Sequence, residues 1–486
     1  MKKYFILLAF AGLTTQLSAQ TKSNANTPPA LSAIKEADLR KDIFEIAGDS
    51  FRGRRAGTPD EFRAAAWVAQ RAQQIGLKPA GDDGTYFQFY NIQRTRTSDN
   101  GTFSINGQAL NLWKNIWPTT PVDTRLDGNV VWLSSLADTS ADIRGKIVAL
   151  NMVAPKPLPA VGMSLWGFRY ISSATRQLSI VFRNKGAAAV ILVADDITEG
   201  SIAFVGHQYN EGTYVLEGTP SPVRGQRAMP VIIVGKSFGT ALQQTGATVK
   251  ANFAVERFLY PSVNVIAKAE GTLLKDEYVL YSGHHDHDGV GVPVAQDSIW
   301  NGADDNASVT VAMLAIGRAW ITKPGKRSAL FVWHGAEERG LIGSRFYAAH
   351  PTVKKESIIA VLNGDMIGRN APDSAALLGA VAPHRNSTTL VNMALQANTQ
   401  LTHFKIDSSW DDPKHPENWY FRSDHVPYAQ AGIPAIFFTT LLHADYHTPR
   451  DEPQRIDITK LAKMTKWIYG TGWLVSQADQ KVAVDK

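Results

Sequence analysis

Apolar residues recur along this chain at two spacings, one helical and one extended, and the segments of each kind succeed one another in blocks. Thr58-Pro59-Asp60-Glu61 reads as a capping box with proline at the first helical position. Phe62, Ala65, Ala66, Ala69, Ala72 and Ile75 then return on one helical face, and Gly76 can close the end. From about Asn111 to Arg257 the texture changes to short β-rich runs and turns. Gly128–Leu133, Lys146–Leu150, Ala188–Val193 and Pro230–Val234 read as buried strands there. After Pro261 strand and helix patterns alternate. Tyr278–Tyr281, Ala329–Trp333, Ile358–Leu362 and Ala435–Phe438 are candidate core strands, and Val309, Ala312, Met313, Ile316, Ala319 and Trp320 keep one helical face.

Such alternation predicts an α/β fold with a mostly parallel central sheet flanked by helices. The β-rich stretch reads as a separate module inserted into it. The expected division is residues 1–19 as a leader, 20–110 and 258–486 as two parts of one catalytic domain, and 111–257 as the insert.

Composition changes this picture only at the margins. Lys2 and Lys3, the apolar run Phe5 to Leu13 and the small-residue site Leu17-Ser18-Ala19 have the order of a secretory signal, with cleavage expected near Ala19. That run is too short to span a bilayer, and no later stretch reaches the length of a membrane helix. The expectation is an exported protein in the periplasm or the medium, with no membrane span. Cysteine is absent, which removes thiol nucleophiles and thiolate metal ligands. The formal charge of +6, falling to +4 without Lys2 and Lys3, comes with no Lys/Arg run and gives no reason to expect nucleic acid.

The candidate chemistry lies in five segments at predicted strand ends. They are His284 and Asp286 in Ser282–His287, Asp305 in Asn301–Asn306, Glu337-Glu338 after Phe331–Ala336, Asp365 in Asn363–Met366, and His447 in Asp445–Pro449. In open α/β sheets the chemistry sits beyond the carboxyl ends of the strands. Each segment alone has an ordinary reading: a polar loop around His284, a helix cap at Asp304-Asp305-Asn306, a solvated turn at Glu337-Glu338-Arg339, a turn at Asn363-Gly364-Asp365 and a hydrogen-bonded His447. Two imidazoles and three carboxylates, one of them shared, would suit a pair of zinc ions, and the paired glutamates would supply a ligand and a base. Tyr446 could donate to a developing oxyanion or simply pack. The set as a whole points to metal-assisted hydrolysis of a peptide bond.

These segments, with Arg52 to Pro79, resemble those of the co-catalytic dizinc aminopeptidases, a family that also includes glutamate carboxypeptidases, transferrin-receptor ectodomains and glutaminyl cyclases. Residues 111–257 are similar to the protease-associated domain often inserted in that family. The resemblance implies two zinc ions, with His284 and Asp365 on one, Glu338 and His447 on the other, and Asp305 bridging. It implies Glu337 as general base, Asp286 orienting His284, Tyr446 holding the substrate carbonyl oxygen, a cis bond after Asp305, and Ser423-Asp424-His425 supporting the site. His285 stands where the family commonly has an aromatic residue and Val309 where it has glycine, while His285, His287 and His443 complicate the count of metal ligands. The implied activity is an aminopeptidase acting on peptides with a free N-terminus. Rival readings are a carboxypeptidase or dipeptidase, which would need an arginine cluster for a terminal carboxylate, a glutaminyl cyclase, and a non-catalytic receptor-like relative.

Overall fold

The computed structural model describes residues 28–138, 142–219 and 229–485, so the leader expected at 1–19 lies outside the described residues. The apolar runs assemble into a ten-stranded mixed sheet. Its centre is four parallel strands in the order Ala435–Thr439, Ile358–Gly364, Leu274–His284 and Arg327–His334. Every residue of Arg327–His334 and of Ile358–Gly364 is buried, which is why their central runs, Ala329–Trp333 and Ile358–Leu362, are continuously apolar rather than alternating. Parallel strands all end at one edge, so His284, His334, Gly364 and Thr439 point their chain continuations to the same side.

Parallel pairing stops outside this centre. Val255–Ala269 lies antiparallel to Arg327–His334, Phe87–Thr97 to Val255–Ala269, and Ser374–Leu378 to Ala435–Thr439. On one flank the antiparallel pair is a long ribbon, running from Phe87 beside Val265 to Thr97 beside Val255.

The helices differ from expectation in which faces they bury. Ser308–Thr322 is buried all round rather than on one face, because Glu36–Ile46, Pro59–Ile75 and Ile458–Gln477 cover the side turned from the sheet. In Pro59–Ile75 the Thr58 hydroxyl accepts from the Asp60 amide and Gly76 closes the helix at φ 95°. Its core face is Ala64, Ala65, Trp67, Val68, Ala69 and Ala72, and Ala66 is exposed. Glu61 reaches the Gly57 amide at 2.6 Å instead of completing the cap at Thr58. Among the described residues no helix is long and apolar enough to cross a membrane.

A second sheet of eight strands is drawn from Thr102–Ile105 through Thr248–Phe253. It begins before the expected boundary at 111, because the short hairpin Thr102–Ile105/Gln108–Leu110 pairs with Thr248–Phe253. It is also less purely β than its sequence texture implies. Helices Trp166–Asn184 and Asp196–Glu211 belong to it, the first burying Tyr170, Ile171, Ala174, Leu178 and Phe182 against Val190 and Leu192. Strand Thr213–Leu216 then returns to pair with Phe87–Thr97, tying this module to the first sheet.

Candidate metal centre

The parallel edge gathers the predicted residues. His284 ends its own strand; Glu337 and Glu338 follow the strand ending at His334, and Asp365 follows the one ending at Gly364. Asp305 lies in the turn Ala303–Ala307 before the buried helix, and its peptide bond to Asn306 is cis. His447 sits in the loop beyond Ala435–Thr439 with a left-handed φ of 49°. Asp305 stands between two groups of donors: its Oδ1 is 3.2 Å from His284 Nε2 and its Oδ2 is 3.2 Å from His447 Nε2. On the first side Asp365 Oδ2 is 3.5 Å and Glu337 Oε2 is 3.8 Å from His284 Nε2. On the second, Glu338 Oε2 is 3.3 Å from His447 Nε2.

The additional histidines sort cleanly. His287 joins the second group, with Nδ1 at 2.8 Å from Glu338 Oε1. His285 faces away and bonds the Val263 carbonyl at 3.0 Å, and burial pushes its pKa down to about 4. His443 lies 3.5 Å from Asp304 and is in neither group.

Two expected supporting roles change. Asp286 does not hold His284 through its carboxylate, which lies 3.8 Å from Nδ1. Its backbone carbonyl is the nearer partner at 3.1 Å, while Oδ1 accepts the Glu337 amide at 3.1 Å and so fixes the candidate base. Neither Asp304 nor Asn306 caps the following helix. Asp304 accepts the Gly368 amide at 2.6 Å, and Asn306 donates to the Gly364 carbonyl at 3.1 Å, so both stitch the Asp365 loop to the Asp305 turn. Ser423 accepts from Asn363 at 2.8 Å beneath that loop. Tyr446 is partly buried, with its ring centroid 4.0 Å from that of His447.

Three further supports were not singled out in the sequence. Asp288 accepts from His447 Nδ1 at 3.1 Å, the usual way a carboxylate orients a ligating imidazole. Asp451 accepts the amides of Asp304 and Asp305. Arg54 is wholly buried and donates to the carbonyls of His285, Asn301 and Gly302 at 2.8, 2.6 and 2.9 Å, tying the two ligand loops together. A turn acid or a lone arginine carries no pattern of its own; only the sequence position of Asp288, two residues beyond Asp286, was a usable signal.

The electrostatics are those of a cation site. Burial alone would lift every carboxylate here, and the neighbouring imidazoles sort them: Asp305, within 3.2 Å of both His284 and His447, falls well below its usual value, whereas burial holds Asp365 at about 6 and Asp424 at about 7. Glu337 is raised well above the usual carboxylate value by burial and by Glu338, Asp424 and Asp365, against the opposing pull of His284. Burial opposes charge on His284 and His447, yet the acids around them hold both well above an ordinary histidine. His284 Nε2, His287 Nε2, His447 Nε2 and Asp365 Oδ1 are all buried without a hydrogen bond. Such orphaned donors among crowded carboxylates fit divalent cations held by nitrogen and oxygen ligands.

The second group opens on a cleft of ≈ 670 Å³ whose floor includes Asp288, Glu338 and His447 and whose roof is formed by helices Trp166–Asn184 and Asp196–Glu211. The arginine at that floor, Arg339, is engaged by Glu211 at 3.2 Å and Asp288 at 3.0 Å.

Residues 264–471 match peptidase family M28. Aminopeptidase YwaD of Bacillus subtilis is 28% identical over 262 residues, 52% of this chain and 53% of that protein. Leupeptin-inactivating enzyme 1 of Streptomyces exfoliatus is 36% identical over 146 residues, 28% and 29% of the two chains. The chain thus spans about half the length, or less, of these curated relatives. Among solved structures, the aminopeptidase from Aneurinibacillus sp. strain AM-1 aligns with a TM-score of 0.59 at 18% identity, covering 94% of this chain and 97% of that one. The zinc aminopeptidase BSAP from Bacillus subtilis aligns at 0.58 and 19%, covering 94% and 98%. At these identities the likeness is one of fold.

Proposed function

We propose that this chain, in which residues 264–471 match peptidase family M28, is a zinc aminopeptidase releasing N-terminal residues from peptides, working through two ions and a glutamate base. The observation that carries the reading is the shared Asp305, with one oxygen 3.2 Å from each imidazole, beside a buried Glu337 that stands farther from His284 Nε2, at 3.8 Å, than Asp305 or Asp365. The relatives named as aminopeptidases support the substrate class. His284, Asp365 and Asp305 would hold one zinc ion, and Glu338, His447 and Asp305 the other. Bound there, zinc supplies Lewis acidity that acidifies water and polarises the scissile carbonyl.

The chain's own residues do the rest. Glu337, fixed by Asp286 at its backbone amide, accepts a proton from the attacking water as the new C–O bond forms. It returns that proton to the amide nitrogen as the C–N bond breaks, so the shortened peptide leaves as a free amine. Tyr446, packed against His447, would donate toward the carbonyl oxygen. The arginine at the floor of the cleft, Arg339, is already paired by Glu211 and Asp288. Export with cleavage near Ala19 remains part of the proposal, and a secreted protein beginning at Gln20 is the expected N-terminal sequence.

The test is a panel of aminoacyl-anilides, N-blocked peptides and N-terminal glutaminyl peptides, with and without chelator. Chelator-sensitive release from free-amine substrates alone is expected; cyclisation without hydrolysis would reassign the protein. Glu337→Gln is expected to lose at least about 100-fold in kcat with zinc content unchanged, and retained turnover would remove Glu337 from the base role.

A further inference from the structure

Glu417 is a charged side chain only 4% exposed, on a loop of the catalytic domain, and it is surrounded by donors from both sheets' modules. From the inserted module the Ser164 amide donates to Oε1 at 2.8 Å, the Ser164 hydroxyl to Oε2 at 3.2 Å, and Arg169 binds Oε2 directly. From the catalytic domain Arg422 lies 3.1 Å from Oε2. Arg422 in turn stacks 5.2 Å over Trp419, whose ring packs edge-on against Tyr446, the neighbour of His447, at 6.0 Å between centroids. The residues that follow Ser164 begin the roof of the cleft, where Leu165 and Phe168 line it. A second ion cluster pins the same module, Glu211 holding Arg55 at 3.0 Å and Arg339 at 3.2 Å.

We infer that Glu417 is a positioning residue that couples docking of the inserted module over the cleft to the placement of Tyr446. One carboxylate here lies between two guanidiniums and offsets the repulsion between them. With the module docked, Arg169 and Ser164 hold Glu417, Glu417 holds Arg422, Arg422 lies over Trp419, and Trp419 packs edge-on against the Tyr446 ring. With the module undocked, two of the partners of Glu417 are gone, and Arg422 is free to turn toward solvent and release Tyr446. The roof would then do more than limit access: the tyrosine would be set only when the cleft is closed over a peptide.

This rests on the proposed role of Tyr446, so the test separates the two claims. Glu417→Gln, Tyr446→Phe and the double variant are compared for kcat and KM on an aminoacyl-anilide, for zinc content, and for amide exchange over residues 164–176. The expected result is a roughly tenfold loss of kcat for Glu417→Gln in the wild-type background, a coupling of the size contacting residues commonly show. In the Tyr446→Phe background the same change is expected to cost little more, with zinc retained and exchange over 164–176 faster. Equal losses in both backgrounds, or no loss in either, would overturn the coupling. A wild-type protein without turnover on any aminoacyl substrate would sink the aminopeptidase reading instead, and unchanged exchange in Glu417→Gln would then still sink the latch. Should Glu417→Gln fail to fold, Arg169→Met cuts the same contact from the module's side and carries the same expectations.

Discussion

Replacing Glu61 by glutamine tests how the protein holds a buried acid behind its catalytic edge. Glu61 is fully buried; its Oε1 accepts from the Ser262 hydroxyl at 2.5 Å and its Oε2 from the Gly57 amide at 2.6 Å. It packs against Gly335, where a Cβ would overlap its oxygen, two residues before Glu337. Burial first, and Asp286 second, raise its pKa from 4.5 to about 8 against those hydrogen bonds. A pKa raised in the folded state means that the native protein keeps a proton that the unfolded chain gives up. The stability tied to that proton is therefore whole below pH 4.5, declines as pH rises, and is lost above about 8. Within this window the slope is about 1.4 kcal/mol per pH unit, which amounts to roughly 3.5 kcal/mol between pH 5 and pH 8. Glutamine carries no such titration. Urea midpoints of the wild type and Glu61→Gln, both saturated with zinc, are compared at pH 5, 6.5 and 8, so that every other titrating group cancels in the difference. The variant is expected to gain on the wild type by about 3 kcal/mol across that range. A swing below about 1 kcal/mol would mean that Glu61 ionises in the folded protein near its ordinary pKa, and the reasoning fails.

Two further perturbations probe ligand support and packing. Asp288→Asn removes the carboxylate that orients His447, and is expected to weaken zinc binding in that group about 10–100-fold while the His284 group keeps its ion. Metal analysis after dialysis against graded chelator should then pass through one zinc per chain, and loss of both ions together would refute the assignment. Gly472→Ala gains about 1 kcal/mol of helix propensity, yet its Cβ would overlap the hydroxyl of Tyr281, which is buried, stacked on Phe331 and bonded by Trp320. Overpacking of about 1–3 kcal/mol should win, so urea unfolding is expected to show a net loss, and a stabilised variant would mean the helix can slide.

What the sequence made legible, and what it hid, follow from the range over which each residue is determined. The strands Ala329–Trp333 and Ile358–Leu362 were readable because a strand buried on both faces must be apolar at every position. His284, Glu338 and Asp365 were readable because a parallel sheet sends every strand end to one edge, so polar residues just after such runs fall near one another whatever the loops do. The all-round burial of the Ser308 helix was less so, since three helices from elsewhere in the chain cover its outer face. The early start of the second sheet at Thr102 was hidden for a similar reason: its two short strands are identified by pairing with Thr248–Phe253 and carry little pattern of their own.

Two of the residues that went unseen act on backbone rather than on other side chains. Arg54 meets carbonyls at 285, 301 and 302, and Asp451 meets the amides of Asp304 and Asp305. A backbone amide or carbonyl is present at every position, so nothing in the partner's identity marks the contact, and no spacing rule reaches across more than two hundred residues. The same holds for Glu417, whose partners Ser164 and Arg169 precede it by about 250 positions. Of the proposed ligands, His284, Glu338 and Asp365 are thus set by strand direction, a local property. The groups that hold them at the right distance are set by how loops return, which only the folded chain discloses. It follows that substitutions at Arg54, Asp288 or Asp451 should disturb metal binding without altering any ligand, and that an intact ligand set is by itself an incomplete criterion for a working site in a chain of this kind.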